Sequence, residues 1–325
     1  MNRQVMGAHA MRGRALPHSH WSRLLTESRN PRSLNLDRMA TEKVVTLILD
    51  EDRLALIEAK KKAREVASAA RLVAVAFAKG GRTIFVGAGT SGRLGVLEAA
   101  ECSPTFGTSP GMIVGVMAGG EDAVFRAKEG SEDRSDDGAK AVAHVTSKDV
   151  VIGISASSVT PFVRAALQKA RARRAKTVLV TCAPQQKLSA LAHVVIAIRT
   201  GPEVLTGSTR LKAGSATKAV LNAITTAAML RSGKVYTNFM VDLKQTSKKL
   251  EDRARRIVAV AASVDLDTAD RLLRASRDEV KTAIVMGLLN VDAPAARLKL
   301  LAADGHVRKA LNGARRSRRA AAAAN

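Results

Sequence analysis

Apolar positions recur at helical spacing through residues 41–79, where Leu54, Ile57, Val66, Leu72 and Val73 mark the pattern and Gly80-Gly81 stops it. That pattern predicts helix, with a short interruption near Asp50–Asp52. Beyond Gly81 the texture changes to short β-branched runs at Thr83–Val86, Met112–Met117, Asp149–Ile154, Thr177–Thr181 and His193–Ile198. Each run is apolar throughout rather than alternating, as suits parallel strands covered on both faces. Leu94–Ala100, Asp122–Lys128 and Pro161–Ala175 lie between them and read as helices. Strands alternating with helices imply an α/β fold, a three-layer sandwich around a five-stranded parallel sheet of flavodoxin- or Rossmann-like winding. Leu211–Leu230 reads as a long helix rich in small residues, ended by Ser232-Gly233. Residues 247–312 read as wholly helical, with amphipathic segments at Leu266–Leu273 and Thr282–Leu289 and a break near Asp292–Pro294. The expected organisation is therefore an α/β domain with N-terminal helices over 24–246 and a small helical bundle over 247–312. A basic, disordered extension over 1–23 and an Arg/Ala tail over 313–325 are expected to flank them.

With 46% hydrophobic but only 2% aromatic residues, the core has to be aliphatic. The net charge of +24 raises nucleic-acid binding as a function. Its distribution argues against that. Four arginines in residues 1–23 and six basic residues in 308–325 stand without any acid, and the remaining Arg and Lys lie mainly on helix faces among carboxylates. No aromatic-interleaved basic strip, zinc finger or helix-turn-helix signature accompanies them. The acid-free first 23 residues look superficially like a transit peptide, and an early start codon, with Met6 and Met11 downstream, explains them as well. No apolar run reaches the ~20 residues of a membrane span. Two cysteines, Cys102 and Cys182, are too few for a disulfide framework. A soluble, cytoplasmic protein without membrane partners is expected.

Three loops carry the candidate chemistry. "GAGTSG" at 87–92 follows the first strand and presents Gly89, Thr90, Ser91 and Gly92, with Arg93 next. "SASSVTP" at 155–161 follows the third strand and presents Ser155, Ser157, Ser158 and Thr160. "TGSTRLKAG" at 206–214 leads into the long helix and presents Thr206, Ser208, Thr209, Arg210 and Lys212. Ligands of open parallel sheets bind beyond the carboxyl ends of the strands, and helix N-termini there offer free N–H groups to an anion. The first loop fits G-x-G-x-x-G. A dinucleotide site would also want an acid about 20 residues on, yet the second strand offers none before Glu121. Hydroxyl donors suit a phosphate monoester, so the expected ligand is a sugar phosphate. Ordinary turns are the competing reading of any one such loop.

"VGAGTSGRLGVLEAAECSPTFG", "GGEDAVFRAKEGSEDR" and "EVLTGSTRLKAGSATK" closely resemble the N-acetylmuramic acid 6-phosphate etherases, a bacterial family with the sugar isomerase (SIS) domain. The similarity runs from near Thr26 to near Leu300. It implies an SIS-type fold and a homodimer with residues of both chains near the site. The implied activity is cleavage of a lactyl ether at C3 of the phosphorylated sugar, giving D-lactate and N-acetylglucosamine 6-phosphate, with no cofactor and no metal. Glucokinase regulatory protein is a more distant relative, and a non-catalytic phosphosugar sensor is the alternative function. The chain departs from the family pattern at Ser158 and Val159, where a glycine and a basic residue are usual, and at Ala183, where asparagine is usual.

Such an ether is a poor target for direct hydrolysis. Opening the ring makes C3 the β position to an aldehyde, so elimination followed by water addition needs two proton-transfer groups. The family motifs place these at Glu101, which would protonate the lactyl oxygen, and at Glu132, which would take the C2 proton. For the acid role, Glu101 would need its pKa raised, by burial or by substrate charge. The two are 31 positions apart, so the fold has to bring them together. Without the motif match, Glu132 reads as one member of a solvated acidic cluster with Glu121, Asp122, Glu129, Asp133, Asp136 and Asp137. Cys102 reads as packing rather than as a nucleophile, and His18 and His20 are not a metal site without further ligands.

Overall fold

The computed structural model describes residues 24–313, so the expectations for 1–23 and for the tail beyond 313 lie outside the described residues. Five parallel strands form the sheet: β1 (Thr83–Gly87), β2 (Ile113–Met117), β3 (Val150–Ile154), β4 (Lys176–Thr181) and β5 (Val194–Ala197). Their order is β2-β1-β3-β4-β5. The winding therefore reverses between β1 and β3, which places the loops after these two strands at the switch point.

Side-chain alternation along the strands splits the core in two. Phe85, Ile152, Ile154, Val178 and Val180 face a cluster completed by Val73, Leu221 and Ile224. These come from α2 (Ala63–Ala78) and α8 (Lys212–Arg231). Ile84, Val86, Val151 and Leu179 face the other cluster, with Val163, Ala166 and Leu167 of α6 (Pro161–Ala172). Every residue of β1 and β3 is buried, which explains their unbroken apolar reading.

Helix α3 (Gly89–Phe106) starts immediately after β1, five residues before the apolar pattern begins. Its first turn lies on the strand it leaves: a Cβ at Gly92 would meet the Gly87 carbonyl oxygen at 2.8 Å, and one at Gly87 would meet the Gly92 nitrogen at 2.6 Å. Only glycine permits that approach at both positions. Between α3 and β3 lie two short helices, α4 (Asp122–Phe125) and α5 (Ser135–Ala141), and a third, α7 (Gln186–Ser189), lies between β4 and β5.

The expected helical interruption falls elsewhere. Helix α1 (Thr41–Lys60) continues through Asp50–Asp52, and the break comes at Lys61-Lys62 before α2. Glu51 stays helical because it is a buried partner of Lys212.

A further cluster takes its buried members from Val241 onward. It is built by α9 (Lys248–Ala262), α10 (Leu266–Ala275), α11 (Val280–Leu289) and α12 (Ala293–Leu301), with a last helical stretch at 307–313. Ser247, Asp265 and Asp292 cap α9, α10 and α12 through their side chains, each stabilising its helix by about 1 kcal/mol. A two-stranded hairpin, β6 (Val235–Tyr236) and β7 (Phe239–Met240), joins α8 to this unit. Just beyond it, Asp242 accepts hydrogen bonds from Lys234 and Lys281 at 2.9 and 2.8 Å. Among the described residues no helix is long and apolar enough to cross a membrane.

Candidate active site

At the switch point two helices begin without a side-chain cap, α3 after Ala88 and α6 after Thr160. Their first N–H groups are free of intrahelical partners and attract an anion. Gly89, at φ +54°, has open space where a side chain would be. Thr90 and Ser91 are half-buried beside it. The third loop joins the first: the Thr90 methyl lies 3.7 Å from where a Cβ on Gly214 would stand.

Several expected ligands turn out to be engaged by the protein itself. Arg93 donates from Nε to the Val124 carbonyl at 2.8 Å and from Nη2 to that of Ala123 at 2.9 Å. It thereby pins α4 across the opening, and its charge still lines the cavity there. Ser155 is buried and shares a 2.9 Å hydrogen bond with Thr160. Ser158 is also buried and adopts φ +60°. Its hydroxyl lies 2.6 Å from that of Thr181. This inward bond helps a serine hold a left-handed conformation in which glycine is at ease. Ser158 is therefore a structural residue here rather than a phosphate donor.

Lys212 is corrected in the same way. Its ammonium is buried and paired with Glu51, which also accepts from Arg32 at 2.8 Å and from Asn30 at 3.0 Å. Burial alone would push the Glu51 carboxyl up, but the hydrogen bond and charge of Lys212, with Arg32 and Asn30, outweigh it and hold the group low. The α8 N-terminus already has its anion. Buried Glu203 accepts from the backbone N–H of Lys212 at 3.2 Å and of Ala213 at 3.0 Å. Burial pushes this carboxyl up in spite of those bonds. Ser157, Ser208 and Thr209 remain half-buried, and Thr206 and Arg210 are exposed.

The two glutamates do not share a cavity. Glu132, with Glu129 beside it, lines a space of about 200 Å³ bounded by Gly89, Arg93 and Lys128. Glu101 lines a groove of about 290 Å³ between α3 and α8. Both carboxylates are exposed, so the burial expected around Glu101 is not found within the chain. Twelve residues of α3 separate Gly89 from Glu101, about 18 Å along the axis. In the sugar, C3 and C6 are three carbon–carbon bonds apart and the phosphorus only two bonds further, a span well short of that. A single chain therefore cannot bring Glu101 to a sugar whose phosphate sits at the start of α3.

Sequence reasoning missed Glu98, Lys218, Glu203 and Glu51. Glu98 is buried one turn before Glu101 and accepts a 2.5 Å hydrogen bond from Thr225. Burial raises its pKa, against the Thr225 bond and the Lys218 charge. A signal existed for three of them, since Glu98 lies inside the first quoted motif, and Glu203 opens and Lys218 closes the third.

The model of the glucokinase regulatory protein N-terminal SIS domain matches residues 65–171, and that of the SIS domain matches residues 131–227. An N-acetylmuramic acid 6-phosphate etherase from Salinibacter ruber is 47% identical over 293 residues, 89% of this chain and 94% of that protein. Another, from Synechocystis sp., is 45% identical over 293 residues, 90% of this chain and 96% of that protein. Among solved structures, a phosphoheptose isomerase from Neisseria gonorrhoeae matches with a TM-score of 0.44 at 17% identity, covering 59% of this chain and 98% of that one.

Proposed function

The chain belongs to the N-acetylmuramic acid 6-phosphate etherases, and from that membership we infer that it cleaves the D-lactyl ether of N-acetylmuramic acid 6-phosphate to give D-lactate and N-acetylglucosamine 6-phosphate. It is an enzyme, a carbon–oxygen lyase, acting in the recycling of cell-wall amino sugars. One observation carries this reading: the match extends over about nine tenths of both this chain and its relatives. The sensor alternative has only the partial match of residues 65–171 behind it.

In our reading the phosphate sits at the first turn of α3, on free N–H groups and the hydroxyls of Thr90 and Ser91. Ser157, Thr160 and the loop over Thr206–Arg210 complete the rim. Ring opening exposes the C1 aldehyde and acidifies the C2 proton. Glu132 takes that proton while Glu101 gives its own to the lactyl oxygen, so the C3–O bond breaks as a C2–C3 double bond forms. Water then adds at C3, surrendering a proton to Glu101, and Glu132, whose exposed carboxyl has exchanged its proton with solvent, protonates C2. No metal enters the scheme.

The length of α3 between cradle and acid supports a shared site. The loops and Glu132 of one chain work with Glu101 of a second copy, in a two-fold homodimer. Phe125, 88% exposed on the helix that Arg93 pins, offers apolar surface to such a partner. We assign the enzyme to the cytoplasm, where its two free, buried thiols would stay reduced.

Turnover in deuterated water tests the elimination route. The N-acetylglucosamine 6-phosphate formed should carry one deuterium at C2, read by mass spectrometry and proton NMR. Lactate release with C2 fully protiated would mean direct displacement and would remove the need for Glu132.

A further inference from the structure

The substrate and its amino-sugar product both carry a phosphate. They differ at C3, where the substrate bears a lactyl group ending in a carboxylate. Whatever selects the substrate has to hold that second anion close to the group that protonates the ether oxygen. The groove that holds Glu101 is itself acidic: Glu98 and Glu101 line its α3 side one turn apart. An anionic ligand enters such a groove only against a cation.

Lys218 is that cation. It stands on the α8 wall of the same groove, with Asn222 one turn further along the same face. Its side chain is exposed, and no carboxylate of the described residues lies within ion-pair distance of it, although Glu98 feels its charge. The other cations near the loops are differently placed. Lys212 is paired with Glu51, Arg93 is bonded to the α4 carbonyls, and Arg210 lies before the start of α8. We propose that Lys218, assisted by the Asn222 amide, binds the lactyl carboxylate beside Glu101 and so distinguishes the muramic substrate from N-acetylglucosamine 6-phosphate. This assignment rests on the etherase reading above. It makes Lys218 a specificity-determining residue, and D-lactate then leaves through the open side of the groove.

Binding can be measured without turnover in a Glu101→Gln background. Calorimetric titration with N-acetylmuramic acid 6-phosphate should show Lys218→Met weakening affinity roughly ten- to a hundredfold, the loss expected of one charge-assisted contact. Affinity for N-acetylglucosamine 6-phosphate should be unchanged, and Lys218→Arg should retain most of the discrimination. Lys218 is exposed, so the melting temperature serves as the folding control. If Lys218→Met weakens both sugars equally, or neither, the assignment is overturned while the etherase reading stands. A wild-type chain that releases no lactate, yet still discriminates the two sugars through Lys218, would overturn the etherase reading and leave this assignment in place.

Discussion

Glu101→Gln should slow D-lactate release by about 10²- to 10⁴-fold, the usual contribution of a positioned proton donor, and leave the melting temperature where it was. The amide keeps the size and polarity of the side chain, but it has no proton to give a departing alkoxide. Glu101 is exposed on α3 and, among the described residues, only its backbone carbonyl accepts a side-chain hydrogen bond, from Thr105 at 2.9 Å, so the fold does not depend on the charge of its carboxylate. Phosphate binding at the other end of α3 should be unaffected, because the cavity there shares no lining residue with the Glu101 groove. The variant should therefore bind substrate and stall. Coupled lactate assays and differential scanning fluorimetry check the two halves separately. A variant that turns over normally would remove Glu101 from the mechanism.

Lys212→Met should act in the opposite way, on stability. The lysine and Glu51 are each about 95% buried as side chains, and removal of one member leaves a carboxylate in a site built for an ion pair. Breaking a buried pair from one side costs about 3–5 kcal/mol, which corresponds to a fall in melting temperature on the order of 10 °C. Arg32 also reaches Glu51 but is 46% exposed, so Arg32→Ala should cost under about 1 kcal/mol. Replacing both buried charges together, Lys212→Met with Glu51→Gln, should recover much of the loss. The pH dependence has a definite sign. The folded-state value for Glu51 lies below its unfolded one, so its contribution is fully present above the ordinary carboxylate range. It is lost as pH falls through that range toward the lowered value. Thermal melts from pH 7 to pH 3 should show Lys212→Met losing less on acidification than wild type. Equal acid sensitivity would mean that the pair contributes little.

The strands were legible to within a residue or two because each reads as one apolar run, fully buried in β1 and β3 and half-buried in much of the edge strands β2 and β5. Helix α8 and its Ser232-Gly233 stop were legible for the same local reasons. What escaped were effects of partners far along the chain. Glu51 meets Lys212 across 161 positions, so the acidic Asp50–Asp52 stretch looked like a helix breaker and proved to be a buried anchor. Glu203 caps α8 from nine residues upstream, which turned an inviting helix N-terminus into one already filled. At Ser158 the cost of replacing glycine was readable, and the Thr181 hydroxyl that offsets it was not. The same holds for the two glutamates. Chemistry required a pair of carboxyls, but the 18-residue helix α3 keeps them apart within one chain.

That separation makes the shared site testable. Glu101→Gln and Glu132→Gln chains carrying different affinity tags would be co-expressed and the mixed dimer isolated on both tags. Each parent homodimer should be inactive. The mixed dimer holds one site with both carboxylates intact and one with neither, so it should release D-lactate at about half the wild-type rate. A mixed dimer as inactive as its parents would contradict the account, since it would place both carboxylates of each site on the same chain.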